Sequence, residues 1–251
     1  LELNPNLIIS KENNFFDLGL DVLEELAENA VFLCGNEEIE TANENVEKFL
    51  ISGKYPSGNS SAHINKICPI RKSKKTWTIS WQDVIRIGKY ISTKSYCFDK
   101  YVSVTGSACV EPKLLKTVSG ASLTELTAGN TNKESRLISG SALYGTSGDS
   151  YTSYLTRYSD QVTIISDERK ANLFNWLKLG EKDHSATNVF LSSITKPEKF
   201  DFDTNVNGGY RAIVPIGVFD EVNVFDIDPT LFLKSLAIGD LVALRELGIF
   251  D

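Results

Sequence analysis

Methionine is missing from this sequence altogether, and histidine occurs only twice, as His63 and His184. A chain so rich in leucine, isoleucine and phenylalanine should carry several methionines. Their complete absence, position 1 included, is expected of a piece of a longer protein. The four cysteines, Cys34, Cys68, Cys97 and Cys109, are scattered, with no C-x-x-C spacing and no histidine pair to accompany them. That argues against a zinc or iron–sulfur site within the chain, and the scatter suits a reducing compartment. No apolar run approaches the ~20 residues of a membrane span, and no signal peptide is visible. Surplus positive charge is lacking as well: 33 acidic residues outnumber 26 basic ones, for a net charge of -7. General attraction to nucleic acid or an anionic membrane is therefore not expected. The one basic run, "RKSKK" (Arg71 to Lys75), reads as a solvated loop rather than a phosphate or headgroup site.

What is present is enough for one large core or two to three small ones, since 41% of the 251 residues are hydrophobic. "DLGLDVLEELAEN", Asp17 to Asn29, sets Leu18, Val22, Leu23 and Leu26 on one helical stripe. "AVFLCG" follows as a buried strand ending at a glycine, with Cys34 read as core, and "VEKFLI" as a second strand after an acidic connection. Val31–Cys34 and Val46–Ile51 are expected to be neighbours in one open α/β sheet. "TWTIS" reads as a strand running into the helix "WQDVIRIGKYI". Ser80 with Asp83 gives that helix a capping signal, and Trp81, Val84, Ile85 and Gly88 share one face. Mid-helix Gly88 costs about 1 kcal/mol against alanine, which implies close packing, here expected against a strand.

From Asp99 the texture becomes short β segments. "YVSVTGS" alternates and turns at Gly106. "KLLKTVSGASLTEL" gives a strand, a Ser119-Gly120 turn and a short helix capped by Ser122 with Glu125, and "RLISGSALYG" a returning strand. "TSGDSYTSY" is a polar linker, "QVTIIS" and "ANLFNWLKLG" resume order, and a hairpin is expected around Asn207-Gly208. Asp228 with Pro229, then Asp240, cap two final helices that form a helical hairpin ending at Gly248.

Directly after the second strand comes "KYPSGNSSAHI", Lys54 to Ile64, where open α/β sheets bind ligands. It has glycine and small hydroxyls but neither the phosphate-loop nor the dinucleotide signature. His63 is open to two readings, ligand contact or structural histidine, and His184 reads as surface. Asp201 and Asp203 could form an acid/base pair or bind a metal, but strand-alternating acids more often face solvent. No G-x-S-x-G supports a hydrolytic triad. The residues alone assign no catalytic group and no metal.

Six stretches in order go further: "YPSGNSSAHI", "TISWQDVIRIGKYI", "YVSVTGSACVEPKLLKTVSGASLTEL", "RLISGSALYG", "NGGYRAIVPIGVFDEV" and "DIDPTLFLKSLAIGD". Together they resemble the NqrA family, the A component of the sodium-translocating NADH:quinone reductase, over nearly the whole chain. The family is longer at both ends, so the resemblance implies its central part. It implies a mixed α/β and α+β architecture in three modules. These are a partial Rossmann-like domain of the complex I flavin-subunit type (residues 1–98), a β-grasp domain of the soluble-ligand-binding (SLBB) type (99–145), and a C-terminal α+β region with the helical hairpin (146–251).

The resemblance further implies one subunit of a respiratory translocase and oxidoreductase, peripheral on the cytoplasmic face of a bacterial inner membrane. Its partners would be subunits B to F and its substrate ubiquinone. No cofactor would be held here; NADH, flavins and iron–sulfur centres would sit on partners, and the chain alone would not oxidise NADH. The stretch "YPSGNSSAHI" corresponds to a degenerate flavin loop in related Rnf and complex I subunits, with Tyr55, Pro56, Ser57, Gly58, Asn59 and His63 as quinone-binding candidates. The alternatives are an Rnf-type flavin-binding electron carrier and a non-catalytic β-grasp binding scaffold.

Overall fold

A computed structural model of the chain describes residues 3–53, 55–70, 75–131, 134–147, 153–167, 178–185, 189–198, 200–205 and 212–249. Outside them lie the expected Asn207-Gly208 turn, most of the basic run, residues 148–152 of the polar linker and 171–177 of "ANLFNWLKLG". The element order is α1 (Pro5–Ile9), α2 (Asn13–Leu26), β1 (Phe32–Gly35), β2 (Glu47–Leu50), α3 (Ser60–Ile67), α4 (Trp81–Thr93), β3 (Asp99–Thr105), β4 (Lys113–Val118), α5 (Leu123–Leu126), β5 (Ser135–Ser139), β6 (Thr146–Ser147), β7 (Gln161–Ser166), α6 (Ser192–Thr195), α7 (Pro229–Ile238) and α8 (Leu241–Glu246). Two compact units result, one of Pro5–Tyr96 with Tyr210–Asp251, the other of Leu1–Asn4 with Cys97–Gly209.

In the first unit β1 and β2 pair in parallel, as their apolar runs predict, with Phe32 opposite Glu47 and Cys34 opposite Phe49. Their core comprises Ile9, Phe16, Leu20, Val46, Val84 and Ile85, with Leu23, Val31, Leu33 and Trp81 packed against it. Four readings of this region need correction. The buried face of α2 is Phe16, Gly19 and Leu20 rather than the stripe through Leu18 and Leu26, and Leu26 is 74% exposed. The helix starts earlier than its charge pattern implies, and Gly19 fixes its orientation: a Cβ there would lie 2.2 Å from the Val84 carbonyl oxygen. Gly88 is likewise packed against a helix, not a strand, since its Cβ would come 1.8 Å from the Phe15 carbonyl oxygen. Two glycines thus bring the backbones of α2 and α4 into contact, closer than any side-chain ridge allows. The third correction concerns "TWTIS", which lies in no strand. Trp77 is 90% exposed, and the end of the segment is taken up by capping, with Ser80 Oγ accepting from the Asp83 N–H at 3.2 Å.

One ion pair closes the edge of the α2–α4 seam, and a second lies within α4. Lys89 Nζ meets Glu12 Oε1 at 2.7 Å and stands over the Phe15 ring, and Arg86 meets Asp83 at 2.6 Å. The outer face of α2 is also used. Asp17 accepts from the Thr41 hydroxyl and the Ala42 N–H, Asn43 Nδ2 donates to Asp21 at 2.8 Å, and Asn45 Nδ2 to Glu24 at 2.7 Å. This clasp holds the connection that delivers the chain to β2. Cys34, at the end of β1, is half-buried rather than core, and burial pushes its thiol above the ordinary value of 9.0.

The second unit is a five-stranded sheet in the order β4-β3-β7-β5-β6. β3 and β4 form an antiparallel hairpin, β7 runs parallel to β3 on its other side, and β5 pairs antiparallel with β7. One face buries Val102, Val104, Val162 and Ile164 under Leu123 of α5, together with Ala108 and Leu155. Gly106, at φ 134°, sits where a Cβ would lie 2.0 Å from the Ile164 carbonyl oxygen. α5 is capped by Ser122, which accepts from the Glu125 N–H. At one end of the sheet the Lys100 side chain is 2% exposed, and its ammonium donates to the carbonyls of Thr156 and Arg157 beside Asp160 at 3.3 Å.

Candidate functional site

The stretch after β2 is only half a loop. Residues 55–59 form a turn in which the Asn59 N–H donates to the Pro56 carbonyl at 2.9 Å, and α3 begins at Ser60. Asn59 has the extended backbone of an N-cap, φ -78° and ψ 138°, yet its side chain makes no capping hydrogen bond, so the amide is not spent on the helix. The helix itself was not anticipated. The signal for it was an asparagine ahead of two serines, a common helix opening.

All six candidates lie in this turn or the first turn of α3. His63 closes it: Nε2 lies 2.9 Å from the Ser57 carbonyl oxygen. A carbonyl only accepts, so Nε2 carries a proton here, and the Nδ1-acceptor tautomer is the one this contact selects. Tyr55 points outward, 61% exposed. Pro56 and Ser57 are half-buried. Gly58 borders open space, for a Cβ there would meet nothing within 4 Å. The arrangement offers one hydroxyl, one uncommitted amide, one imidazole acceptor, an aromatic wall and an unobstructed stretch of backbone. Such a set can hold a small polar-rimmed ring through its carbonyl or hydroxyl oxygens.

The other candidates go separate ways. His184 is exposed and rests edge-on against Phe200, centroids 5.3 Å apart. Asp201 and Asp203 are exposed, and Asp203 is occupied by the N–H and side-chain amide of Asn205. Among the described residues no group of three His, Cys, Asp or Glu is placed to hold a metal, and no helix is long and apolar enough to cross a membrane. The clasp on α2 and the buried Lys100 escaped the sequence reading. Asp17, Asp21 and Glu24 at helical spacing were a signal for the first, whereas a lysine in an alternating strand gives none for the second.

Family comparison likewise separates an α/β part from a second part of the chain. A model of the NqrA second alpha/beta domain matches residues 1–96, and a model of the NQRA C-terminal domain matches residues 101–149. Among curated proteins, the A component of the Na(+)-translocating NADH-quinone reductase of Saccharophagus degradans is 37% identical over 255 residues. Those of Vibrio campbellii and Vibrio alginolyticus are 37% and 36% identical over 254. Each alignment takes in 100% of this chain and 57% of the relative, so the chain spans little more than half the length of these proteins. The chain belongs to the NqrA family. These relatives do not favour the Rnf-type carrier or the free-standing scaffold.

Proposed function

We propose that this chain is the central part of a peripheral subunit of a Na+-translocating NADH:ubiquinone reductase, associated with ubiquinone reduction coupled to sodium export. The observation that carries the reading is the extent of the likeness. Similarity to NqrA proteins runs through all of the chain, the α/β unit and the sheet unit alike. NADH, flavins and iron–sulfur centres belong on partner subunits B to F, and the chain sits on the cytoplasmic face of the inner membrane. The parallel β1–β2 pair is the remnant of a Rossmann-like sheet, β3 to β7 with α5 form a β-grasp of the SLBB type, and α7 with α8 form a helical hairpin. β7 extends the β-grasp module past Gly145, because it is that sheet's central strand.

Within this reading the turn 55–63 holds the quinone headgroup. Tyr55 walls the ring, the Ser57 hydroxyl and the Asn59 amide donate to its carbonyl oxygens, and Gly58 lets backbone approach. His63 keeps its Nε2 proton on Ser57, so it positions the turn, and its Nδ1 can accept from a quinol hydroxyl. The test is His63→Ala combined with Asn59→Ala, with quinone affinity measured in the assembled complex. Loss of the Asn59 donor to a quinone oxygen and of the His63 bond that holds the turn, about 1–2 kcal/mol together, is expected to weaken binding roughly tenfold. Gly58→Ala is expected to leave folding unchanged, given the open space around it, while weakening quinone binding. If affinity holds in both variants while folding and assembly are intact, the turn is architecture. NADH turnover by the isolated chain would contradict the division of labour among subunits.

A further inference from the structure

The last two helices carry more apolar surface than the unit they belong to can use. α7, "PTLFLKSLAI", has Lys234 as its one charged residue in ten. Leu231 is 51% exposed, Leu236 54% and Ile238 78%, and Leu241 and Val242 of α8 are 71% and 69% exposed. These positions do not share one face. At 3.6 residues per turn Leu231 and Ile238 nearly coincide, whereas Leu236 lies about 140° around the axis. Buried positions in the pair are few, Thr230 and Leu244. A helix apolar on all sides is a core helix, whereas an amphipathic one is a surface helix. Yet both helices are properly finished. Asp228 caps α7 through the Leu231 N–H at 2.8 Å, Pro229 opens it, and Gly239 closes it at φ 74°. Asp240 caps α8 through the N–H groups of Val242 and Ala243. Local signals thus specify the helices, and their surface specifies an enclosure.

We infer that the apolar surface of α7 and α8 is the seat of the polypeptide that relatives carry outside the part matched here. Some two-fifths of each relative's length lies outside that match and has to pack somewhere. The composition of α7, one charged residue in ten, is closer to a domain interior than to the polar surface of a reversible interface. The inference rests on family membership and not on the quinone reading, so either can fail alone.

Hydrogen–deuterium exchange tests it without a variant. Exchange is followed at the amides of 229–249 in this chain, and at the aligned segment of the Vibrio campbellii relative, both at full length and cut to its matched residues. The expected result is exchange about tenfold or more slower in the full-length protein than in either short form. Equal exchange in the full-length and cut forms overturns the inference. So does protection that appears only on adding other subunits, or only at concentrations where copies associate. A second measurement uses Leu236→Lys with Val242→Lys. It is expected to leave the melting temperature of this chain unchanged, and to lower that of the full-length relative when made at the aligned positions. An unchanged full-length relative contradicts the proposed seat.

Discussion

The two units solve the same problem, burying a parallel strand pair, in opposite ways. In the sheet unit the parallel pair β3–β7 is interior, flanked by β4 and β5, and Val102, Val104 and Val162 are fully buried. In the α/β unit the parallel pair β1–β2 is the whole sheet among the described residues, every residue of β1 is only half-buried, and Leu50 of β2 is 69% exposed. There the helices do the packing, through the glycine contacts of α2 with α4. A parallel sheet is usually covered on both faces and extended by further strands. The sheet unit extends its parallel pair with a further strand on either side, and among the described residues the α/β unit does not. One unit therefore draws its stability from strand burial and the other from a single helix seam.

The strongest way to break the contrast is Gly88→Ala. Helix propensity would favour alanine by about 1 kcal/mol. The new Cβ would fall 1.8 Å from a backbone oxygen, so the seam must open, and overpacking of this kind costs about 3 kcal/mol or more. Urea denaturation should show net destabilisation, and a neutral or stabilised variant would show that the helix seam is not what holds the unit. In the sheet unit Lys100→Met is expected to cost about 2 kcal/mol, because the Thr156 and Arg157 carbonyls lose their donor. If thermal unfolding is unchanged, the buried ammonium is not needed by that end of the sheet. Ser80→Ala should cost about 1 kcal/mol by removing the α4 cap, measurable by the same denaturation and reversed by Ser80→Thr.

The smallest effect sharpens the picture of β1. The Cys34 thiol is raised by burial, so its contribution to stability is complete below the unfolded thiol's range and is lost as pH rises through the higher folded value. Stability should therefore begin to fall above about pH 9, where unfolded thiols ionise. Cys34→Ala should remove that part of the decline. An identical pH profile in the variant would mean that burial of this half-exposed strand does not bear on the thiol.

The site was legible to the extent that its residues are contiguous. Tyr55 to His63 stand together because chain neighbours must, and the position after a strand of an open sheet singled them out. The direction of the His63 ring could not be read in this way. A bond from Nε2 to the Ser57 carbonyl depends on how the first turn of α3 folds back, and a six-residue separation permits many such returns.

Local chemistry was determined by the sequence alone. Ser80 with Asp83, Ser122 with Glu125, Asp228 with Pro229, and Asp240 all cap the helices they precede, because a cap is satisfied within three or four residues of itself. Hairpin β3–β4 was likewise set by alternation. Only the tertiary structure decided that β7 enters between β3 and β5, that Gly88 meets α2 and not a strand, and that α2 turns Phe16 inward in place of Leu18. Those outcomes depend on which surfaces distant in sequence come to exclude water together. Periodicity states that a face is apolar; what it will lie against is settled by the shape of the partner, here by the absence of two side chains at Gly19 and Gly88.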